Sequence, residues 1–321
     1  MEYEKTPMVI TGATGFLGKY LAEELAGRGH EVYAVTRDAK KAEAIFKNSE
    51  IKVIAASIND MESLKKIPKY ARIFHCAAIT GSIQSKKEAY KTVNVVGTVN
   101  MLHMALESAA KSFTFVSSVS AVGAVGTIHH PITEKTISDP GTFYGESKRL
   151  AESMILEMAP GSMPVTIIRP SLIYGAGQRA SSGAGALFNV CKRGIVPVIG
   201  NVESLIPLVY VKNVVSGIIH LTLSHSDHEI FNVSDLTPYS LKTLSDILSG
   251  PQYKKYMKIP NFLTSMISNF SENLSHFLQK DFGLRLEVIK ALGHSGFIMN
   301  IDKALQFGYL PEATEDAIKT L

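Results

Sequence analysis

Along the first two-thirds of the chain, short apolar runs alternate with segments whose apolar residues recur at helical spacing. Met8-Val9-Ile10-Thr11 has strand length and ends in glycines. From Phe16 to Ala26, Leu17, Leu21 and Leu25 repeat at four-residue intervals and mark one face of a helix, which Gly27-Arg28-Gly29 breaks. Glu31 to Thr36 then predicts a second strand and Ala39 to Lys47 a short helix. Further runs of strand length lie at Ile51–Ala55, Ile73–Ala77, Phe113–Ser117 and Val165–Arg169. Between them, helices are expected at Met61–Ile67, Lys86–Ala110 and Phe143–Met158. Continuous apolar strands alternating with helices predict a parallel sheet covered on both faces, the α/β doubly wound (Rossmann) architecture.

After Arg169 this regularity fades. Residues 171–208 are rich in Gly, Ser and Pro, with only short apolar runs. Leu208–Val211 and Glu229–Val233 have strand character, the second placed to rejoin the main sheet. Residues 259–278, with Phe262, Leu263, Met266, Ile267 and Phe270 among them, form an apolar helical stripe. The expected organisation is a sheet domain over residues 1–170, rejoined by segments near 208–233, and a small C-terminal substrate lobe built mostly from 171–321.

The composition is that of an ordinary globular chain: 321 residues, 45% hydrophobic and 19% charged. Lys and Arg number 33 against 29 Asp and Glu, and the net charge of +4 is too small and scattered for a nucleic-acid partner. Two cysteines, Cys76 and Cys191, leave room for one disulfide but exclude a disulfide framework or a Cys-based zinc site. Cys76, after a buried strand, reads as a small core residue. Met1-Glu2-Tyr3-Glu4-Lys5 lacks the features of a signal peptide, and no run approaches the ~20 apolar residues of a transmembrane segment. A cytoplasmic protein is expected. His129-His130 and His225-x-x-His228 fall in predicted loops without further ligands, so no metal is expected.

The chemistry begins at Thr11-Gly12-Ala13-Thr14-Gly15-Phe16-Leu17-Gly18, a G-x-x-G-x-x-G turn between a strand and a helix. Gly12 permits the tight turn, Gly15 lets backbone N–H groups approach a pyrophosphate, and Gly18 lets the helix pack closely on the sheet. The second strand ends Val35-Thr36-Arg37-Asp38. An acid near this point serves the ribose 2′-OH of NAD, whereas a cation accommodates the 2′-phosphate of NADP. Thr36 stands where the acid is expected and Arg37 follows. Asp38 competes but lies one position further on, so NADP(H) is favoured over NAD(H).

Tyr144-Gly145-Glu146-Ser147-Lys148 is Y-x-x-x-K, which puts phenol and ammonium on one helix face. The ammonium can lower the phenol's pKa from its free value of ~10, fitting Tyr144 for acid/base work. A single Y-x-x-x-K means little alone. Its weight comes from a preceding strand that ends Val116-Ser117-Ser118, since a serine at a strand's carboxyl end can donate to a substrate oxygen as charge develops there.

These pieces occur in order with His75-Cys76-Ala77-Ala78, Asn94-Val95-Val96-Gly97-Thr98 and Arg169-Pro170-Ser171-Leu172-Ile173-Tyr174-Gly175. Together they resemble the extended short-chain dehydrogenase/reductase family, also called the NAD-dependent epimerase/dehydratase family. The resemblance implies that Ser118 polarises the substrate oxygen and Tyr144 transfers the proton. It implies that Lys148 holds the nicotinamide ribose and lowers the Tyr144 pKa, and it counts Asn94 with the catalytic set. Thr11, Gly12, Thr14, Gly15, Phe16, Leu17 and Gly18 would take the pyrophosphate, and Ser57 and Ile58 would flank the adenine. Ala77, Ala78, Ile79 and Thr80 would line the cofactor's path, and Pro170, Leu172 and Ile173 would lie against the nicotinamide. The family often has Asp where this chain has Ser57.

Nucleotide-sugar members of that family carry an arginine before a V-H-V-x-D-like strand. Here Ile206 stands at that place, Asn213 replaces the acid, and Arg285 is the nearest candidate for a second anchoring arginine. Asn300-Ile301-Asp302-Lys303-Ala304 and Phe307-Gly308-Tyr309-x-Pro311 resemble the tails of 3-beta-hydroxysteroid dehydrogenase-like and dihydroflavonol-reductase-like members. The resemblance therefore implies an NAD(P)(H)-dependent oxidoreductase acting on the carbonyl or secondary alcohol of a small, apolar substrate, and it is compatible with a homodimer. Two alternatives stand beside it. One is a nucleotide-sugar epimerase or dehydratase with tightly bound NAD. The other is a non-catalytic redox sensor, against which Ser118, Tyr144 and Lys148 argue.

Overall fold

The computed structural model describes residues 6–80, 87–123, 127–140, 142–159, 161, 163–180, 182–192, 195–199, 203–223, 228–250, 255–259 and 298–321. Six strands arise where the apolar runs predict them: β1 (Met8–Thr11), β2 (Val32–Thr36), β3 (Lys52–Ala55), β4 (Arg72–His75), β5 (Ser112–Val116) and β6 (Val165–Pro170). Glu229–Val233 joins them beside β6 in a seven-stranded sheet, ordered Glu229–Val233, β6, β5, β4, β1, β2, β3. Every pairing within it is parallel. The chain thus departs from β1 to β2 on one side and returns to β4 on the other, which opens a crevice at the carboxyl end of β1.

The helices cover the sheet in two layers: α1 (Phe16–Gly27), α2 (Ala39–Phe46), α3 (Met61–Leu64), α4 (Lys87–Tyr90), α5 (Gly97–Glu107) and α6 (Phe143–Met158). On one face, Leu21 and Leu25 of α1 pack with Val214 and Ile218 of a helix at Val211–Leu223. On the other, Leu64, Met101, Leu102, Ala151 and Ile155 pack over Ile73, Phe113 and Ile167. Burial of both sheet faces accounts for the continuous apolar runs. The long helix expected at Lys86–Ala110 is broken by a π-helical turn at Lys91–Val96, whose wider spacing is invisible to a search for a 3.6-residue period.

Beyond Pro170 the chain builds small sheets outside the main one. Leu172–Tyr174 pairs in parallel with Leu208–Tyr210, and Leu205–Ile206 pairs with Tyr239–Ser240. Leu208–Tyr210 is therefore not in the main sheet; the place beside β6 is taken by Glu229–Val233. Asp235, 5% exposed, ties this region together, accepting from Tyr174 Oη, Thr314 Oγ1, Asn213 Nδ2 and the Tyr210 N–H. Asn213 stands where the family resemblance led us to expect an acid; here it is the donor and Asp235 the carboxylate. Cys76 and Cys191 are both free thiols. No helix among the described residues is long and apolar enough to cross a membrane. The apolar stripe beyond Ile259, Arg285 and His225 lie outside the described residues.

His75, the last residue of β4, is buried next to Thr11, a residue of the crevice. It is fully buried and lies between the rings of Phe113 and Phe115, each 5.9 Å away. Thr98 Oγ1 donates to Asn94 O, so it accepts from His75 Nε2 at 3.0 Å, and His75 Nδ1 is left to accept from Thr11 Oγ1 at 2.7 Å. Thr11 Oγ1 in turn accepts the Ala77 N–H. Burial, and secondarily Lys148, pushes the imidazole from 6.5 down to about 3, so His75 folds neutral. Between about pH 3 and 6.5 the unfolded chain binds a proton there that the folded chain does not. Stability should therefore rise with pH across that window by the slope of one proton. Denaturant unfolding at several pH values should show this slope, and His75→Gln should lose it.

Candidate active site

The carboxyl ends of the strands frame a cleft of 1270 Å³. At one end lies the turn after β1. Gly12 has φ +68°, and a Cβ there would sit 2.8 Å from the backbone N and Cα of Ala77. Side-chain-free backbone is the reason the turn can nest against the segment after β4. Gly15 N donates to Gly12 O, and α1 then begins without a side-chain cap or an acidic residue in its first turn. Its first N–H groups, among them those of the cleft residues Phe16, Leu17 and Gly18, present the positive end of the helix dipole. This uncapped terminus fits a pyrophosphate.

The edge of the cleft at β2 carries Thr36, Arg37, Asp38 and Lys41. Asp38 caps α2, its Oδ1 accepting the Lys41 N–H at 3.0 Å. Thr36 Oγ1 accepts the Asp38 N–H at 3.2 Å. Arg37 and Lys41 are exposed cations at this edge. Ser57 and Ile58 lie nearby, and Ala77, Ala78, Ile79 and Thr80 form the floor.

The far end is built by β5, β6 and α6. Thr142 caps α6 by accepting the Gly145 N–H at 3.0 Å. A Cβ on Gly145 would stand 2.2 Å from Ser120 O, so glycine here lets the start of α6 press against the turn after β5. That approach brings Tyr144 and Ser118 to one cleft, with Lys148, Pro170, Leu172 and Ile173. Ser118 Oγ accepts the Ser120 N–H at 3.1 Å and keeps its own O–H to donate. Ser117, its neighbour, is 3% exposed and gives its hydroxyl to Glu152 at 2.5 Å. Both serines line the cleft, and Ser118, the one that the resemblance singles out, is the one whose hydroxyl is left to donate there.

Lys148 is 3% exposed; its Nζ donates to Val116 O at 2.7 Å and lies 4.5 Å over the Phe115 ring. Burial lowers it from 10.5 to about 8, so it still carries its proton at neutral pH.

Asn94 is the expected site residue that the structure does not bring to the cleft surface. It is 1% exposed and both ends of its amide are engaged. Oδ1 accepts the Ile79 N–H at 2.8 Å, and Nδ2 donates to Ile79 O at 3.1 Å and Ser147 Oγ at 2.9 Å. It holds a floor residue to α6 from behind. Cys76, read as core, is half-buried and lines the cleft. Thr127, Asp139, Thr142, Arg179 and Ser182 also line it and escaped sequence reading, because they come from loops without periodicity. Among the described residues no group of three or more His, Cys, Asp or Glu side chains gathers as for a metal ion.

The model of the NAD dependent epimerase/dehydratase family matches residues 8–234. A Vibrio cholerae protein named UDP-glucose 4-epimerase is 30% identical over 239 residues, spanning 71% of this chain and 70% of its own. The sterol-4-alpha-carboxylate 3-dehydrogenase, decarboxylating, of Bos taurus is 28% identical over 261 residues, spanning 76% and 70%. The fold is that of the UDP-glucose 4-epimerase of Thermotoga maritima, solved with UDP-glucose, at TM-score 0.75, 21% identity and coverage of 98% and 96%.

The close approach at Gly12 yields a direct expectation. Gly12→Ala should cost about 1–3 kcal/mol of unfolding free energy from left-handed strain and displacement of Ala77. It should also raise the dissociation constant for a nicotinamide dinucleotide at least about tenfold, as read by fluorescence titration.

Proposed function

Because the chain belongs to the NAD-dependent epimerase/dehydratase family, we propose that it moves a hydride between NADP(H) and the carbonyl or secondary alcohol of a small substrate, with Tyr144 as the acid/base. One observation carries this reading. Ser118, Tyr144 and Lys148 share a cleft with the uncapped N-terminus of α1. A hydroxyl donor, a phenol and a buried ammonium are the groups that carbonyl reduction or alcohol oxidation asks of a protein.

The cofactor's phosphates would sit at the start of α1, held by the N–H groups of the Gly12–Gly18 turn, with its nicotinamide toward Pro170, Leu172 and Ile173. When bound, the nicotinamide supplies or accepts the hydride. Ser118 donates its O–H to the substrate oxygen and fixes it beside Tyr144. The Tyr144 phenol then gives a proton to that oxygen in reduction, or takes one from it in oxidation. Lys148, protonated and one helical turn along α6, places positive charge where the phenolate forms.

Preference for NADP(H) rests on the β2 edge. Asp38 is engaged at the cap of α2, and Arg37 and Lys41 supply the cations a 2′-phosphate needs. The substrate end favours polar chemistry more than the apolar stripe of the sequence suggested: Thr127, Asp139, Thr142, Arg179 and Ser182 offer hydroxyls and both charges. That wall gives the second reading its support, an epimerase or related enzyme acting on a nucleotide sugar with retained NAD. Both readings use the same hydride and proton steps.

Tyr144→Phe should lower kcat by at least about 100-fold while NADPH binding stays within about twofold of the parent. Cofactor absorbance during turnover and a binding titration would read the two effects, and retained turnover would show another proton donor. Arg37→Ala should weaken NADPH binding about tenfold and leave NADH nearly unchanged. Equal losses, or NAD carried through purification of the parent protein, would favour the epimerase reading.

A further inference from the structure

Behind Tyr144 and Lys148, α6 continues to a residue the reaction itself does not use. Tyr144, Lys148 and Glu152 are spaced one helical turn apart and share a face. Glu152 is 4% exposed, and so deep a carboxylate is stable only with strong partners. It has three hydrogen bonds from two residues on neighbouring strand ends. Arg169 grips it with two parallel bonds, Nε to Oε1 at 2.9 Å and a terminal nitrogen to Oε2 at 2.6 Å. Ser117 donates to Oε1 at 2.5 Å. Arg169, itself 5% exposed, also donates to Glu134 O at 3.2 Å.

The partners' neighbours make this cluster relevant to the cleft. Ser117 directly precedes Ser118, and Arg169 directly precedes Pro170, both cleft residues. One carboxylate therefore joins the helix that bears Tyr144 and Lys148 to the two strand ends that bear the remaining groups of the reacting end.

We propose that Glu152 is a positioning residue for the Tyr144–Lys148 pair: with Ser117 and Arg169 it seats α6 on the ends of β5 and β6. The ammonium is buried against the Phe115 ring and the Val116 carbonyl. The titratable groups around it are His75 and Cys76 at the end of β4, Tyr144 and Glu152 on its own helix, and Arg169 of β6 through Glu152. His75 is neutral, and among the anionic influences on Lys148 are Cys76 and Glu152. The Cys76 thiol is itself raised well above neutrality by burial. Without the Glu152 anchor, α6 would lose its seat on β5 and β6, and Tyr144 and Lys148 would lose their fixed places at the cleft, leaving the phenol nearer its free acidity.

This inference rests on the proposed roles of Tyr144 and Lys148, but its test needs no substrate. The ionisation of Tyr144 is read as the difference in tyrosinate absorption between the protein and Tyr144→Phe during a pH titration. The same difference is then taken in Glu152→Gln, which keeps the shape and removes the charge. The Tyr144 midpoint should rise by about one pH unit, leaving about tenfold less phenolate at a fixed pH. Glu152→Gln strands a buried Arg169, so it is paired with Glu152→Gln/Arg169→Met, in which the whole ion pair gives way to uncharged groups of similar volume. This double variant should rise in the same direction by a smaller amount, and it decides the matter if the single variant does not fold. A folded variant whose Tyr144 titrates within about 0.2 unit of the parent would overturn the proposal. Turnover retained by Tyr144→Phe would sink the proposed function and leave the Glu152 result standing, so the two failures are separable.

Discussion

A parallel sheet that winds away from β1 in both directions cannot close the carboxyl end of that strand with its own chain. β2 and β4 flank β1, and the connections to them leave on opposite faces. The gap between them exposes the start of α1, where N–H groups have no intrahelical partner and no side-chain cap. A helix end in that state is stabilised by an anion, and the chain provides none in its first turn. Most of the cleft follows from this one deficit. Gly12 must be glycine for the turn to lie against Ala77, and the buried His75 and Thr11 satisfy each other's hydrogen bonds beneath it.

The opposite end obeys a different constraint, the burial of charge. Lys148 and Glu152 enter the interior on one helix, and Arg169 meets Glu152 from β6. Buried ions are tolerated when their hydrogen bonds are complete, and removing one partner costs far more than the pair contributes. The arrangement thus fixes α6 more sharply than apolar packing alone would. An apolar helix face can slide by fractions of an ångström, whereas a two-point guanidinium–carboxylate contact has one good geometry.

The two ends differ in how far the sequence reveals them. The strand runs, the glycine turn and Tyr144–Lys148 are legible because each is a local pattern, read within a few residues of itself. Ser117 and Ser118 are indistinguishable by local pattern, and the family resemblance alone picks Ser118; the fold adds the reason, since Glu152, distant in sequence, takes the Ser117 hydroxyl. Asn94 is found by its motif but not placed by it, since the π-helical turn directs its amide to Ile79 and Ser147 behind the wall. The helix at Gly183–Lys192 is hidden because its first turn, Gly183-Ala184-Gly185, lacks apolar bulk and reads as loop. Asp235 gives no signal at all: its four donors come from Tyr174, Tyr210, Asn213 and Thr314, which only the folded lobe assembles.

Under the proposed chemistry, net oxidation and epimerisation differ in what happens after the first hydride transfer. A dehydrogenase must release one form of the cofactor and bind the other, whereas an epimerase must keep the cofactor and present the second face of its ketone. The ribose edge therefore matters as much as the catalytic groups. Exposed cations such as Arg37 and Lys41 attract a 2′-phosphate but are screened by salt and reached by water, which suits exchange. The substrate wall acts on the other half of the choice. Polar groups that line the cleft, such as Thr127, Asp139 and Arg179, would offer a rotating ketone new hydrogen bonds in place of those it loses. Under the proposal Ser118, Tyr144 and Lys148 would serve either course, and the relative rates of cofactor release and substrate rotation would choose between them.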